Sequence, residues 1–281
     1  MQKRTAFKPD EINRLQPTEK VGLLACINPD GKPHVSLITS LQPADEIRMV
    51  FGEFSKGLSK QFIQENPKTG FLLMTLDRAM WRGKAEYTHL MKEGPEYQMF
   101  NEKPMFRYNT YFGVNTVYYF NLVEVGDEEG LPMGGIIRSA LATKMAKGGA
   151  ATGKKEIILN HMAEGIFNML DSLKFISWAG QDGYPVIVPV IQCQAADPTR
   201  LAFSPGAYGD ELMQIPEGQE VAVFAMTMQM EDVLVRGVFN GYRRHRGVKL
   251  GTIDVNWVYN SMPPVHGQVY PEVPLEAVKE F

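Results

Sequence analysis

Cysteine is nearly missing from this chain: Cys26 and Cys193 are the two in 281 residues, and each lies alone within an apolar stretch. That excludes a disulfide framework and a cysteine-based metal site, and it predicts buried free thiols in a reducing compartment. An excess of either charge is missing too. The 29 Lys and Arg against 32 Asp and Glu leave a formal net charge of −3, so no long-range field draws nucleic acid or an anionic membrane, and an anionic ligand must be held locally. No apolar run is long enough to span a bilayer, and Met1 to Asp10 is charged rather than signal-like, so a cytoplasmic protein with neither nucleic acid nor membrane as partner is expected. The five histidines, His34, His89, His161, His245 and His266, are scattered without the spacing of metal ligands, and no metal is expected. No serine or cysteine has a recognisable nucleophile motif around it, which leaves catalytic residues unassigned. Gly148 to Lys155 has the spacing of a phosphate loop, but Lys155 stands where a serine or threonine must hold magnesium, and no apolar strand precedes it.

What the chain does have is a core's worth of apolar residues, 44%, and a long internal repeat. Val21 to Asp77 and Leu173 to Gln229 align without a gap at a constant offset of 152 residues, as from Gly31 to Gly183. Asp30, Gly31 and Pro33 face Asp182, Gly183 and Pro185; Gln42, Ala44, Asp45 and Arg48 face Gln194, Ala196, Asp197 and Arg200. After a two-residue slip, Arg82-Gly83 aligns with Arg236-Gly237. Most remaining pairs exchange apolar for apolar, which marks a duplicated structural unit too long to be one turn of a solenoid.

Within the first unit, Gly22 to Asn28 is a short apolar run ending in the turn Pro29-Asp30-Gly31-Lys32, so a hairpin is predicted. Its second arm, Pro33 to Leu41, alternates, placing His34, Ser36, Ile38 and Ser40 on one face. Ile47 to Gly52 predicts a third strand. Ser55 then caps an expected helix from Lys56 to about Glu65, stopped by Asn66-Pro67. Gly70 to Leu76 and Met80 to Tyr87 give two further strands, and the aromatic and β-branched stretch Tyr108 to Val125 another. Residues 126–172 read as a connector with a helix near Ile136 to Ala146 and an amphipathic helix over Glu156 to Leu173, and Ser261 to Phe281 as a proline-rich wrapping tail. The expected class is mostly β (α+β). It comprises two tandem antiparallel β-barrels with accessory helices: residues 1–125, the connector, and residues 173–281. Further oligomerisation is left open.

The order hairpin, strand, serine-capped helix, Asn-Pro, strand, strand resembles the FMN-binding split barrel of the pyridoxamine 5'-phosphate oxidase-like family. Gly31-Lys-Pro-His-Val-Ser36, Ser55-Lys56-Gly57-Leu58 with Asn66-Pro67, and Arg82-Gly83-Lys84-Ala85 carry the likeness. The resemblance implies that the two are split β-barrels packed as an intramolecular pseudo-dimer and that a flavin lies between them, with FMN as cofactor and haem as the alternative. On the residues, Ser55, Lys56, Ser59 and Lys60 at a helix start make an anion site suited to a phosphate monoester. His34, Ser36 and Ser40 would line the ring.

The second copy replaces Ser55, Lys56, Ser59 and Lys60 by Ala207, Tyr208, Glu211 and Leu212, and His34, Ser36 and Ser40 by Val186, Val188 and Gln192. It reads as a partner that closes the first copy's site. The expected function is an FMN-dependent oxidoreductase acting on a small-molecule substrate or electron donor that the sequence does not identify. A flavin- or haem-binding carrier or sensor without turnover is the alternative. The Arg243-Arg244-His245-Arg246 run is expected to be a solvated basic loop.

Overall fold

In the computed structural model, which describes residues 3–54, 57–102, 113–260 and 267–273, the repeat seen in sequence is a repeat in topology. The first half comprises β1 (Lys3–Arg4), α1 (Pro9–Leu15), β2 (Lys20–Ile27), β3 (Pro33–Leu37), β4 (Gln42–Pro43), β5 (Arg48–Glu53), α2 (Leu58–Glu65), β6 (Lys68–Thr75), β7 (Ala79–Met91), α3 (Pro95–Glu102), β8 (Thr116–Gly126) and β9 (Glu129–Gly130). A connector carries α4 (Met133–Ala146) and α5 (His161–Asn168). The second half follows with β10 (Leu173–Ala179), β11 (Pro185–Pro189), β12 (Gln194–Asp197), β13 (Arg200–Phe203), the single turn α6 (Gly209–Leu212), β14 (Glu220–Met226), β15 (Asp232–His245), β16 (Val248–Asn260) and β17 (Gly267–Tyr270).

The two antiparallel sheets run β3-β2-β6-β7-β8-β5-β4 and β11-β10-β14-β15-β16-β13-β12, the same order strand for strand. Each curls around its own apolar interior. Leu24, Phe51, Phe71 and Trp81 fill the first and Ile176, Phe203, Val223 and Phe239 the second. A third cluster belongs to neither barrel: Leu23, Val35, Leu72 and Met74 pack against Phe175, Ile187, Phe224 and Met226. Because side chains alternate along a strand, residues such as Leu23 and Leu24 serve the interface and the interior in turn. Nearly every position of β2 is therefore buried, which is why β2 reads as a continuous apolar run.

Three sequence expectations need correction. The connector's second helix is one of eight residues rather than spanning Glu156 to Leu173, because the Asn160 side chain accepts from the Ala163 N–H at 2.9 Å and caps the helix there. The preceding stretch is held instead by Ile158 and Leu159 donating to the Pro198 carbonyl. Strand β3 stops at Leu37 because Leu41 N–H closes a turn on the Ile38 carbonyl, so the alternation does not reach Ser40. The β6–β7 and β14–β15 hairpins are also equal in length, Met74 facing Met80 and Met226 facing Asp232. The place of Arg82, opposite Leu72, is therefore taken by Leu234, and Arg236, opposite Ala222, answers to Lys84, opposite Gly70. The β-bulge that follows Lys84 in one barrel follows Arg236 in the other, at the same place in the repeat, so the match of Arg82-Gly83 with Arg236-Gly237 is a likeness of sequence and not of position. The beginning of the stretch expected as a strand from Tyr108, and most of the tail, lie outside the described residues.

Candidate functional site

A pseudo-twofold pair of barrels has two equivalent seams, and here they differ. On one, the first barrel's β7 meets the second barrel's β10–β11 turn and α6. Arg82, 5% exposed, donates from both terminal nitrogens to the Glu211 carboxylate at 2.8 and 2.9 Å, and to the Ile187 carbonyl at 3.0 Å. Its Nε bonds Glu129. Burial alone would lower the Arg82 pKa, but the bonds to Glu211 and Glu129 outweigh it and hold the guanidinium charged. Lys84 bonds Asp182 at 2.7 Å, Lys68 bonds the Asp182 carbonyl at 2.8 Å, and the Tyr184 hydroxyl bonds Glu86. At Gly70 the barrels come so close that a Cβ there would sit 2.2 Å from the Pro185 carbonyl oxygen. Glu211 stands where the first copy has Ser59, so the degenerate helix supplies the carboxylate that seals this seam. Glu211→Gln should cost roughly 1–2 kcal/mol of unfolding free energy, measured by urea titration at low and at 1 M salt, since Glu211 is partly exposed and the pair is screened. An effect below about 0.3 kcal/mol would mean that the pair is not a seal.

The other seam is built from the first barrel's β2–β3 hairpin and α2 and the second barrel's β10, β14, β15 and β16. Ser177, Ala222, Arg236 and Trp257 are successive partners across four strands, so their side chains share one face. It is the face toward the other barrel, because Ala222 and Trp257 belong to the inter-barrel cluster. Glu220, two residues from Ala222, lies on it too. Arg236 stacks over Trp257 at 3.6 Å and Trp257 is parallel to Tyr259 at 5.4 Å. From the first barrel, the His34 ring meets Phe62 of α2 at 5.5 Å, Tyr259 at 5.8 Å and Trp257 at 6.2 Å. Here, among the described residues, four buried polar atoms have no hydrogen-bond partner: His34 Nδ1, Ser177 Oγ, Glu220 Oε2 and Arg236 Nε; the first seam leaves one, the Tyr208 hydroxyl. Burial, and then the Arg236 charge, lower the His34 pKa to about 3, so the ring is neutral near pH 7. Burial also lowers the Arg236 pKa against the opposing pull of Glu220 and Asp30.

The seven residues expected to hold a flavin therefore divide. His34 lies in this second seam; Ser36, half-buried, and Ser59, buried, lie on β3 and α2 beside it. Ser40 is turned inward, its hydroxyl donating to the Gly52 carbonyl at 2.9 Å and accepting from the Gly52 N–H. The Lys60 ammonium is 3.2 Å from the Glu53 carboxylate, and burial lowers its pKa. Ser55 and Lys56 lie outside the described residues. The cap position of α2 is Gly57, extended and without a side-chain bond to the first turn, so the helix starts two residues later than the sequence predicted. The buried polar atoms of this seam are thus unpaired among the described residues, whereas Ser40 and Lys60 are engaged within the first barrel. Sequence reasoning missed Arg236, Ser177, Glu220, Trp257 and Tyr259, all from the second barrel.

Elsewhere, among the described residues, no group of three His, Cys, Asp or Glu is placed to hold a metal ion, and no helix is long and apolar enough to cross a membrane. Cys26 and Cys193 are buried free thiols, the latter pushed up to about 12 by burial. The Arg243 to Arg246 run lies at the β15–β16 turn, with Arg243 on Glu217 at 2.7 Å and the His245 ring on the Gly149 carbonyl at 2.9 Å.

No family model matches the chain, and no curated protein matches it. Solved structures do resemble it, one barrel's length at a time. An FMN-binding protein from Syntrophomonas wolfei is 16% identical over 40% of this chain and 78% of its own, with a TM-score of 0.33. A proposed pyridoxamine 5'-phosphate oxidase from Lactobacillus delbrueckii is 19% identical over 45% and 100%, at 0.35. An FAD-binding protein from Mesorhizobium loti is 16% identical over 46% and 100%, at 0.31. The strand order found twice within the chain stands independently of these likenesses. Each half of the chain is an antiparallel barrel with one and the same strand order, and the chain joins two of them in tandem.

Proposed function

We propose that this chain is a flavin-binding oxidoreductase that holds one flavin, expected to be FMN, on the seam between β3 and α2 of the first barrel and β15 and β16 of the second. The supporting observation is the convergence there of His34 Nδ1, Ser177 Oγ, Glu220 Oε2 and Arg236 Nε, all buried and unpartnered. Each such atom left dry costs about 1–3 kcal/mol. A planar heteroaromatic ligand with both donors and acceptors on its edge would satisfy them while lying against Trp257 and Tyr259. When bound, a flavin supplies hydride and single-electron transfer. The chain's residues bind and orient it. Arg236 presents positive charge to an electron-rich edge, neutral His34 offers one donor and one acceptor, and the aromatic pair excludes water. With its pKa at about 3, His34 is no general acid near neutrality, so hydride or electron transfer with little proton chemistry from the protein is expected. The phosphate would be held at the start of α2, with Lys60 exchanging Glu53 for it.

Saturation with FMN, desalting and denaturation should release one flavin per chain, and Arg236→Met should weaken FMN and riboflavin equally, by about tenfold or more, because the contact is to the ring. Two flavins per chain, a Soret band in place of flavin bands, or an Arg236→Met variant with unchanged affinity would sink the assignment. Anaerobic mixing with NADH or NADPH should bleach the flavin. Bleaching by dithionite alone would make the protein a carrier.

A further inference from the structure

A second candidate site lies where the two seams meet. A cavity of about 550 Å³ is lined by residues of both barrels and of α4. Its walls come in pairs related by the 152-residue offset: Val21 with Leu173, Thr39 with Ile191, Met74 with Met226. It therefore straddles the pseudo-twofold axis and exists only because the two copies are joined face to face. Ile136 and Ala140 of α4 roof it, and α4 has no counterpart in the aligned repeat. None of the five described residues among those expected to hold a flavin lines it.

The chemistry of the lining selects the ligand. The walls are mostly aliphatic and thioether, with Thr18, Thr39, Thr75 and Thr227 among them, and methionine adapts its shape to what it packs against. The charged groups lining the cavity balance: Glu19 and Asp171 against Lys20 and Arg78, so they favour neither an anion nor a cation. Its volume falls in the range of small-molecule sites and is far too small for a protein segment of any length. Around it, large apolar side chains stand in solvent: Leu76 is 75% exposed, Met228 71%, Ile137 54% and Leu141 49%. A rim of this kind gives a hydrocarbon a continuous apolar path inward, and it would be an aggregation hazard with no compensating use.

We propose that this axial cavity binds an uncharged, largely hydrocarbon small molecule, independently of the flavin seam. The full chain, without added flavin, should take up Nile red, an uncharged hydrophobic dye, saturably and with a strong fluorescence gain. Ala140→Trp, which fills the roof, should reduce its affinity by at least about tenfold. Should Ala140→Trp fail to fold, Met228→Glu at the exposed rim provides the same comparison without disturbing the core, and a loss of affinity is expected there too. FMN stoichiometry should be unchanged in both, which separates this site from the seam. Dye uptake that does not saturate, or that neither substitution alters, overturns the proposal. So does co-sedimentation with neutral phosphatidylcholine vesicles or self-association of the chain without saturable dye uptake, since the apolar rim would then be a docking face.

Discussion

Gly70→Ala should lower the unfolding free energy by roughly 2–3 kcal/mol, and Gly70→Val by more, whereas Ala222→Gly should cost only about 1 kcal/mol. The two positions are equivalent in the repeat and both lie on barrel faces that meet. At Gly70 a methyl group would sit 2.2 Å from the Pro185 carbonyl oxygen and 3.1 Å from its carbon. That obstacle is backbone within the β11 strand, so relief requires the barrels to part, and parting them loosens the third hydrophobic cluster and the Arg82–Glu211 bridge together. At position 222 the methyl is already accommodated and fully buried, so its removal loses one methyl's burial and adds glycine's chain entropy. Urea titration of the three variants is the check. If Gly70→Ala costs no more than Ala222→Gly, the tight seam can yield at little cost and the asymmetry between the seams is not built into the backbone.

That asymmetry is the structural content of the duplication. One seam is closed by a glycine, an arginine and a carboxylate; the other carries a methyl, four unsatisfied polar atoms and an aromatic pair. A symmetric homodimer would have to make both seams alike. Joining the copies in one chain removes that constraint, so one helix could lose its serine for Glu211 and become part of the seal without affecting the other.

The repeat was legible in sequence because its turn residues, Asp30-Gly31 and Asp182-Gly183, and the strands around them keep one offset. The strand order followed from that. The first barrel's contribution to the seam was legible in part, through His34 on an alternating strand. Ser40 was misplaced because alternation in sequence says nothing about where a strand stops, and the Leu41–Ile38 turn ends β3 early. Lys60 was read as an anion ligand because its partner Glu53, on β5, becomes a neighbour only through the path from strand to helix. The second barrel's half was hidden for a different reason. Arg236 aligns by sequence with Arg82, yet the hairpin pairing puts it in the place of Lys84, and the bulges after Lys84 and after Arg236 fall at the same point of the repeat, so two Arg-Gly pairs at different positions mimic a slip. The axial cavity joins strand ends from both copies to a helix outside the repeat, a proximity that no single segment announces.

His34 makes the protein's stability depend on pH in a direction that can be worked out. In the unfolded chain a histidine titrates near about 6.5, while in the fold burial and the Arg236 charge hold its pKa at about 3. Above the unfolded value both states carry a neutral ring, and the group contributes no pH dependence. Between the two values the unfolded chain binds a proton that the folded chain refuses, so stability falls as pH drops through this window. At pH 5 the loss should reach roughly 2 kcal/mol relative to pH 7.5. Carboxylates titrate in the lower part of the same range, among them Asp45, Asp182 and Asp197, whose pKa values are lowered by their hydrogen bonds against the opposing effect of burial. The comparison that isolates His34 is therefore the difference between wild type and His34→Gln, followed from pH 7.5 to 4.5. That difference should shift in favour of the variant by roughly 2 kcal/mol between pH 7.5 and 5, whatever the substitution costs at pH 7.5. In the folded wild type, the imidazole resonances should show a neutral ring down to pH 4.5. A ring that titrates near pH 6.5, with a difference that stays flat, would place His34 in contact with water and remove it from the dry seam on which the flavin proposal rests.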